Sequence, residues 1–166
     1  WKPRLAVGFD YASGDGDTNC TTPGGTAARS CGGNANTFEN FFPTNFLHVG
    51  YMLNGAWRNS VQPQINLQAR PTARDHIEIS ALRKYLASAR DNWYRGSQGP
   101  LIFSRSDNQT TYVGDELDIA WSHMFADGKV SLAVIYGHFF SGPYIKQQLG
   151  TSADQDWGVV QLWMNF

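Results

Sequence analysis

The sequence has no run of apolar residues near the ~20 that a membrane-crossing helix requires. That excludes a bundle of membrane helices and leaves a strand-built membrane protein open. Charge is scarce as well: Asp, Glu, Lys and Arg make up 16% of the 166 residues, and the formal net charge is −1. No basic cluster interrupts this, so the chain lacks the electrostatic footprint of a nucleic-acid binder. There is no G-x-S-x-G elbow and no phosphate loop, which removes the motif-based case for a hydrolase or a nucleotide-using enzyme. Cysteine stops at Cys20 and Cys31, with no His or Cys companions at metal spacing. No initiator Met and no signal peptide precede Trp1. The chain is therefore read as a processed product or a piece of something longer.

What is present is aromatic and glycine-rich. Aromatics reach 14% and glycines number 17, a balance that suits β-structure with long loops. The length allows one domain. Mean hydropathy is −0.39, but lumen and loop residues dilute the lipid face of a membrane barrel, so this value does not argue against one.

Apolar and polar residues alternate in six segments. In residues 3–13, Leu5, Val7, Phe9 and Tyr11 oppose Arg4, Ala6, Gly8 and Asp10. In residues 61–70, Ile65, Leu67 and Ala69 oppose Gln62, Gln64, Asn66, Gln68 and Arg70. In residues 76–87, Ile77, Ile79, Ala81 and Tyr85 oppose Glu78, Ser80 and Lys84, with Arg83 on the apolar side and Leu82 and Leu86 on the other. In residues 112–125, Leu117, Ile119 and Trp121 oppose Glu116, Asp118, Ala120 and Ser122. In residues 129–140, Val130, Leu132, Val134 and Tyr136 oppose Ser131, Ala133 and Gly137. The chain then stops on an amphipathic strand, with Val160, Leu162, Met164 and Phe166 on one face and Gln161, Trp163 and Asn165 on the other. A soluble domain seldom leaves such an edge bare. In an outer-membrane barrel the last strand closes against the first. Its terminal aromatic, Phe166, then serves as the contact for the outer-membrane assembly machinery.

The connections alternate too. Residues 71–75 and 126–128 are tight turns, the second carrying an Asp-Gly hairpin signal. Residues 13–60, 88–111 and 141–156 are long polar loops. Short turns on one side and long loops on the other is the layout of a membrane barrel with its long loops outside the cell. Parity places residues 38–60 in the first of these loops, as a short helix or an ordered lid. A strand over residues 48–57 is the alternative, and a single extra crossing would break the pattern.

Chemistry decides which face meets lipid. Buried in a dry core, the Gln, Asn, Lys, Glu and Asp residues of the polar face would need many partners; a hydrated lumen satisfies them. The expected pore lining is Arg4, Asp10, Gln64, Gln68, Arg70, Glu78, Lys84, Glu116 and Asp118, tuning selectivity by charge and hydrogen bonding. Trp121, Phe125 and Phe166 fall near the short-turn end, and Tyr11, Tyr85, Tyr136 and Phe140 near the long-loop end. Two aromatic bands fit two membrane interfaces, with His123 and His138 read as rim residues. Arg83 on the lipid side is tolerable near an interface. Glu116 and Asp118 resemble a glycosidase pair on paper, but among amides and a lysine they read as lining, and the chain is not read as an enzyme.

The loop residues carry two further expectations. Paired, Cys20 and Cys31 would close a short loop and constrain it by roughly 3 kcal/mol on the chain-entropy model, fitting an oxidising compartment; unpaired thiols are the alternative. Asp15 and Asp17 offer the oxygen chemistry calcium prefers. Without a full EF-hand spacing or a closing Glu, a solvated acidic loop is the preferred reading, and no cofactor is expected.

A family resemblance rests on Phe9-Asp10-Tyr11-Ala12-Ser13-Gly14-Asp15, Thr37-Phe38-Glu39-Asn40-Phe41-Phe42-Pro43-Thr44-Asn45, His48-Val49-Gly50-Tyr51-Met52, Gly55-Ala56-Trp57-Arg58-Asn59, Val113-Gly114-Asp115-Glu116-Leu117-Asp118 and Tyr136-Gly137-His138-Phe139-Phe140-Ser141-Gly142-Pro143-Tyr144-Ile145-Lys146. Together and in this order, these resemble the C-terminal portion of alginate-export outer-membrane proteins. The resemblance implies a monomeric barrel of about 18 strands in the bacterial outer membrane, with an electropositive pore for an anionic polysaccharide. This chain would supply about six C-terminal strands, residues 1–166 being part of one barrel domain; known membrane barrels begin at about eight strands. The lining read here is mixed in sign, Arg4, Arg70 and Lys84 against Asp10, Glu78, Glu116 and Asp118. The expected function is passage of a polar solute or an alginate-like polysaccharide, with lipid as the other partner and no nucleic acid. A soluble lipocalin-like ligand-binding barrel, with its faces inverted, is the alternative.

Overall fold

The computed structural model describes residues 1–16, 36–40, 49–96, 99–105 and 107–165. Cys20, Cys31, Asp17, His48 and Phe166 lie outside the described residues, and with them the expected disulfide, half of the acidic calcium loop and the terminal aromatic.

Alternation folds as alternation must. Six strands form one antiparallel sheet in the order β1-β2-β3-β6-β7-β8: β1 (Arg4–Ala12), β2 (Ser60–Ala69), β3 (Asp75–Tyr85), β6 (Tyr112–Phe125), β7 (Val130–Ser141) and β8 (Gln155–Met164). Residues 88–111, expected as a long polar loop, contain a small hairpin of β4 (Trp93–Tyr94) and β5 (Pro100–Ile102). Residues 141–156, also expected as loop, contain helix α1 (Pro143–Leu149). That helix has the usual punctuation. Pro143 stands in its first turn, and Gly150 at φ 74° closes it with an N–H to the Lys146 carbonyl.

The tight turns are built as the sequence demands. At one, Thr72 Oγ1 accepts the N–H groups of Arg74 and Asp75, each at 3.1 Å. At the other, Asp127 (φ 55°) and Gly128 (φ 89°) both take the left-handed conformation that a two-residue hairpin needs. Pro63 lies within β2, where the ladder to β3 is interrupted between the pairs Val61–Tyr85 and Gln64–Leu82. A residue with no N–H to give is tolerated at such a gap.

Register puts the apolar residues of neighbouring strands opposite one another. Leu5–Leu67–Ile79–Ile119–Tyr136 is one row across five strands, and Val7–Ile65–Ala81–Leu117 another. These side chains cover one face and are exposed: Val7 is 76% accessible, Ile65 52% and Val160 68%. Tyr136 sits mid-strand rather than at the long-loop end, because it pairs with Ile119. The buried core is elsewhere. Leu86, Trp93, Val113, Phe139, Tyr144 and Ile145 cluster where the long connections fold over the sheet end, with Trp93 stacked on Phe139 at 6.1 Å. Burying each large side chain contributes roughly 1.5–3 kcal/mol, so this cluster anchors the connections. Among the described residues of segment 49–59 there is no strand; the segment belongs to the first long connection, as parity requires.

Candidate functional site

The face opposite the apolar rows is polar, and strand register sets its order. Gly8, Gln64, Leu82, Glu116 and Phe139 form one row, and Ala6, Asn66, Ser80, Asp118 and Gly137 the next. The carboxylates here are held by donors. Gln64 Nε2 donates to Asp10 at 2.6 Å. Glu78 accepts from Asn66 Nδ2 at 2.6 Å and from Gln68 Nε2 at 3.4 Å.

Higher on the same face, the segment 49–55 folds down onto the sheet and is pinned there. Lys84 and Glu116 are diagonal neighbours on β3 and β6, since Leu82 faces Glu116. Lys84 Nζ donates to Glu116 Oε2 at 2.6 Å, to the Val49 carbonyl at 2.6 Å and to the Asn54 carbonyl at 3.1 Å. Glu116 Oε1 accepts the Met52 N–H at 3.0 Å, and Asp118 Oδ2 accepts the Tyr51 N–H at 3.1 Å. A three-donor ammonium and two carboxyl groups with accepting oxygens thus match the backbone polarity of the segment. Two glycines permit the approach. Gly50 is at φ +83° and a Cβ there would stand 2.0 Å from Glu116 Oε1; a Cβ on Gly137 would stand 2.6 Å from Met52 Cγ.

The expected lining residues divide into three groups. Arg4, Asp10, Gln64, Gln68 and Glu78 border a cleft of about 470 Å³, together with Tyr51; Asp118 stands at its wall but is 0% exposed, covered by the pinned segment. Lys84 and Glu116 are on the same face but are 4% and 1% exposed. They are not open lining groups satisfied by water, because the pinned segment covers them and takes their hydrogen bonds. Arg70 lies just past the end of β2, exposed. A second cleft of about 470 Å³ lies on the other side of Tyr51, bordered by His76, Glu78, Gln161 and Trp163 among others. Tyr51 and Glu78 belong to both. Burial, then the negative charges of Glu78 and Asp118, raise the Tyr51 phenol above its ordinary value, so the ring is neutral at physiological pH. Asp118 Oδ1 is buried without a hydrogen-bond partner among the described residues.

Sequence reasoning did not single out Tyr51, nor the network that holds the pinned segment's base. Asn59, at φ 46° and fully buried, donates to the Ser88 and Asn92 carbonyls at 3.1 and 2.9 Å and accepts the Ser88 N–H at 2.8 Å. Asp91 accepts from the Asp15 N–H, Thr37 Oγ1, the Asn92 N–H and Tyr94 OH, all within 2.9 Å. Asp15 ties loops together: its Oδ2 accepts the Asn36 N–H at 3.1 Å. No cluster of metal-ligating side chains occurs among the described residues. Glu116 and Asp118 make hydrogen bonds to backbone and lysine; that arrangement positions a segment.

On the apolar face the polar residues come as direct cross-strand pairs near the strand ends. His123 Nδ1 and Asp75 are 2.8 Å apart at the tight-turn end, where Trp121 Nε1 also donates to Asp75 at 3.1 Å. Arg83 makes two bonds to Asp115, at 2.8 and 3.0 Å, toward the long-connection end. His138 Nδ1 and Asp156 are 2.8 Å apart, and Tyr136 OH bonds the same carboxylate.

A family model for alginate export matches residues 1–159. Comparison with curated proteins gives no match, and comparison with solved structures gives none either.

Proposed function

The chain belongs to the alginate export family, and on that premise we propose that its sheet is part of the wall of an outer-membrane β-barrel that passes a polar solute or polysaccharide. The family is of the transporter type. One observation carries the finer reading: an exposed, continuous apolar face stands back to back with a polar face that a pinned segment partly closes. In this reading the apolar face meets lipid, the polar face meets a hydrated lumen, and segment 49–55 narrows that lumen.

Two further features support it. β1 and β8 each have one neighbour in the sheet, so a closed barrel needs further strands, as expected for part of a larger wall. The polar pairs on the apolar face also bracket a band of suitable height. From Asp75 to Arg83 the strand runs roughly 27 Å at ~3.4 Å per residue, and a tilt of ~40° reduces that to about 20 Å, near the ~25 Å of an outer-membrane apolar belt. Lys84 and Glu116 then act as the clamp of a constriction, not as free selectivity charges. Conductance of the complete protein in planar bilayers tests this. Discrete channels are expected, larger when residues 50–54 are deleted; no channel with the segment either present or deleted overturns the reading.

A further inference from the structure

The apolar face is not evenly filled. In the row Val7–Ile65–Ala81–Leu117, the short Ala81 stands between two branched neighbours on β2 and β6. Nearer the long connections, Pro63 lies on the same face of β2 as Ile65, where the ladder to β3 is interrupted. Both side chains are short, so the face dips into a groove of about 560 Å³, walled by Ile65 on one side and by Leu117 and Phe140 on the other. Ile65 and Leu117 stand two strand spacings apart, about 10 Å, which leaves the width of one hydrocarbon chain between their side chains.

The groove ends at charge. Arg83 and Asp115 border it toward the long-connection end, with side chains 55% and 33% exposed. Arg83 spends Nε and Nη2 on Asp115 at 2.8 and 3.0 Å, and its guanidinium lies over the Tyr112 ring at 5.6 Å. The bidentate bond and the ring fix the fork, and among the described residues Nη1 has no hydrogen-bond partner. An exposed guanidinium held in one orientation suits a phosphate oxygen. Asp115 beside it accepts, and suits a hydroxyl or amide N–H. Bulk lipid would fill the groove with any acyl chain; the pair at its end selects the headgroup.

We propose that this groove is a lipid site on the outer side of the wall. It holds one acyl chain of a phosphorylated, acylated sugar lipid, whose phosphate meets Arg83 and whose hydroxyl or amide groups meet Asp115. This rests on the channel reading given above, which turns the long-connection end outward, to the leaflet built of such lipids. Native mass spectrometry of the complete protein in detergent tests it, by titration with bisphosphorylated lipid A, with its dephosphorylated form and with phosphatidylglycerol. One lipid A per chain is expected, at a half-saturating concentration at least about ten-fold below that of the dephosphorylated form, the worth of one charge-assisted hydrogen bond. Phosphatidylglycerol should be retained more weakly than lipid A. Ala81→Leu fills the groove and leaves the ion pair, and should raise the half-saturating concentration of lipid A about ten-fold. Arg83→Lys keeps the charge and loses the fork, and should reduce the advantage of the phosphorylated form to about three-fold or less. Both variants should form channels of unchanged conductance, because the groove faces away from the lumen. Equal retention of lipid A and its dephosphorylated form, or retention indifferent to Ala81→Leu, overturns the site and leaves the channel reading standing. Retention of phosphatidylglycerol equal to that of lipid A overturns the assignment to a sugar lipid. Absence of channels overturns the channel reading, and the site with it.

Discussion

Lys84 is the residue on which most depends. Its side chain is 5% exposed and its partner Glu116 is fully enclosed. Removing one member of such a pair leaves a buried charge uncompensated, at a cost of about 3–5 kcal/mol. Lys84→Met is therefore expected to destabilise the fold strongly in denaturant titration, whereas the double change to Lys84→Met with Glu116→Gln should recover a large part of the loss. Equal losses in the single and double variants would show that the pair is not coupled. Tyr144 offers a second residue-scale test. Burial pushes its phenol from 10.0 to about 12, and its hydroxyl bonds Ser104 at 2.9 Å. The folded state holds the proton more tightly than the unfolded one, so the contribution is complete below pH ~10 and is lost as pH rises toward ~12. Tyr144→Phe should flatten the loss of stability in that window; an unchanged alkaline profile would remove Tyr144 as its cause.

At the scale of elements, the pinned segment and α1 behave differently from the strands. The strands could be read from the sequence because alternation is local: the row of Leu5, Val7 and Phe9 announces its own face. The pinned segment could be assigned to the first long connection by parity, but its position could not be read. The bond from Met52 to Glu116 joins residues 64 apart, and that from Tyr51 to Asp118 residues 67 apart. No local pattern encodes such a meeting. Lys84 and Glu116 were legible as polar-face residues for the same local reason, and illegible as a covered pair. Helix α1 was within reach, since Pro143 and Gly150 are start and stop signals; seven residues between them were too few to show a helical period. A prediction follows for this element. Ile145 is buried in the core cluster, and Ile145→Ala should cost about 2–5 kcal/mol of local stability. The loss should appear as faster hydrogen exchange in residues 86–94 and 143–149 with little change in β1 and β2; exchange rising evenly across all strands would count against an anchoring role.

For the whole molecule the decisive property is which face is left bare. The covered residues are polar or charged at Gln62, Lys84, Glu116 and Asp118, while Leu5, Val7, Ile65 and Val160 stay exposed. A lipocalin-like barrel requires the reverse, with the apolar rows turned inward. Ile119 lies in a central row of the apolar face. In a bilayer, Ile119→Arg is expected to cost about 2–4 kcal/mol, against roughly 0–1 near the rim. Refolding equilibria into lipid vesicles read this difference directly, and equal costs at centre and rim would argue that the face does not lie in lipid.

The clamp also dictates an order of events. Lys84 and Glu116 stand on β3 and β6, which meet only after the chain between them, with its hairpin, has looped back. The backbone groups of residues 49–54 have no complete receptor before that meeting. Strand pairing must therefore precede closure, and any assembling form with β3 and β6 still apart has an open passage. Weakening the clamp should accordingly leave the rate of strand assembly almost untouched and hasten reopening instead, the signature of an interaction made after the rate-limiting step.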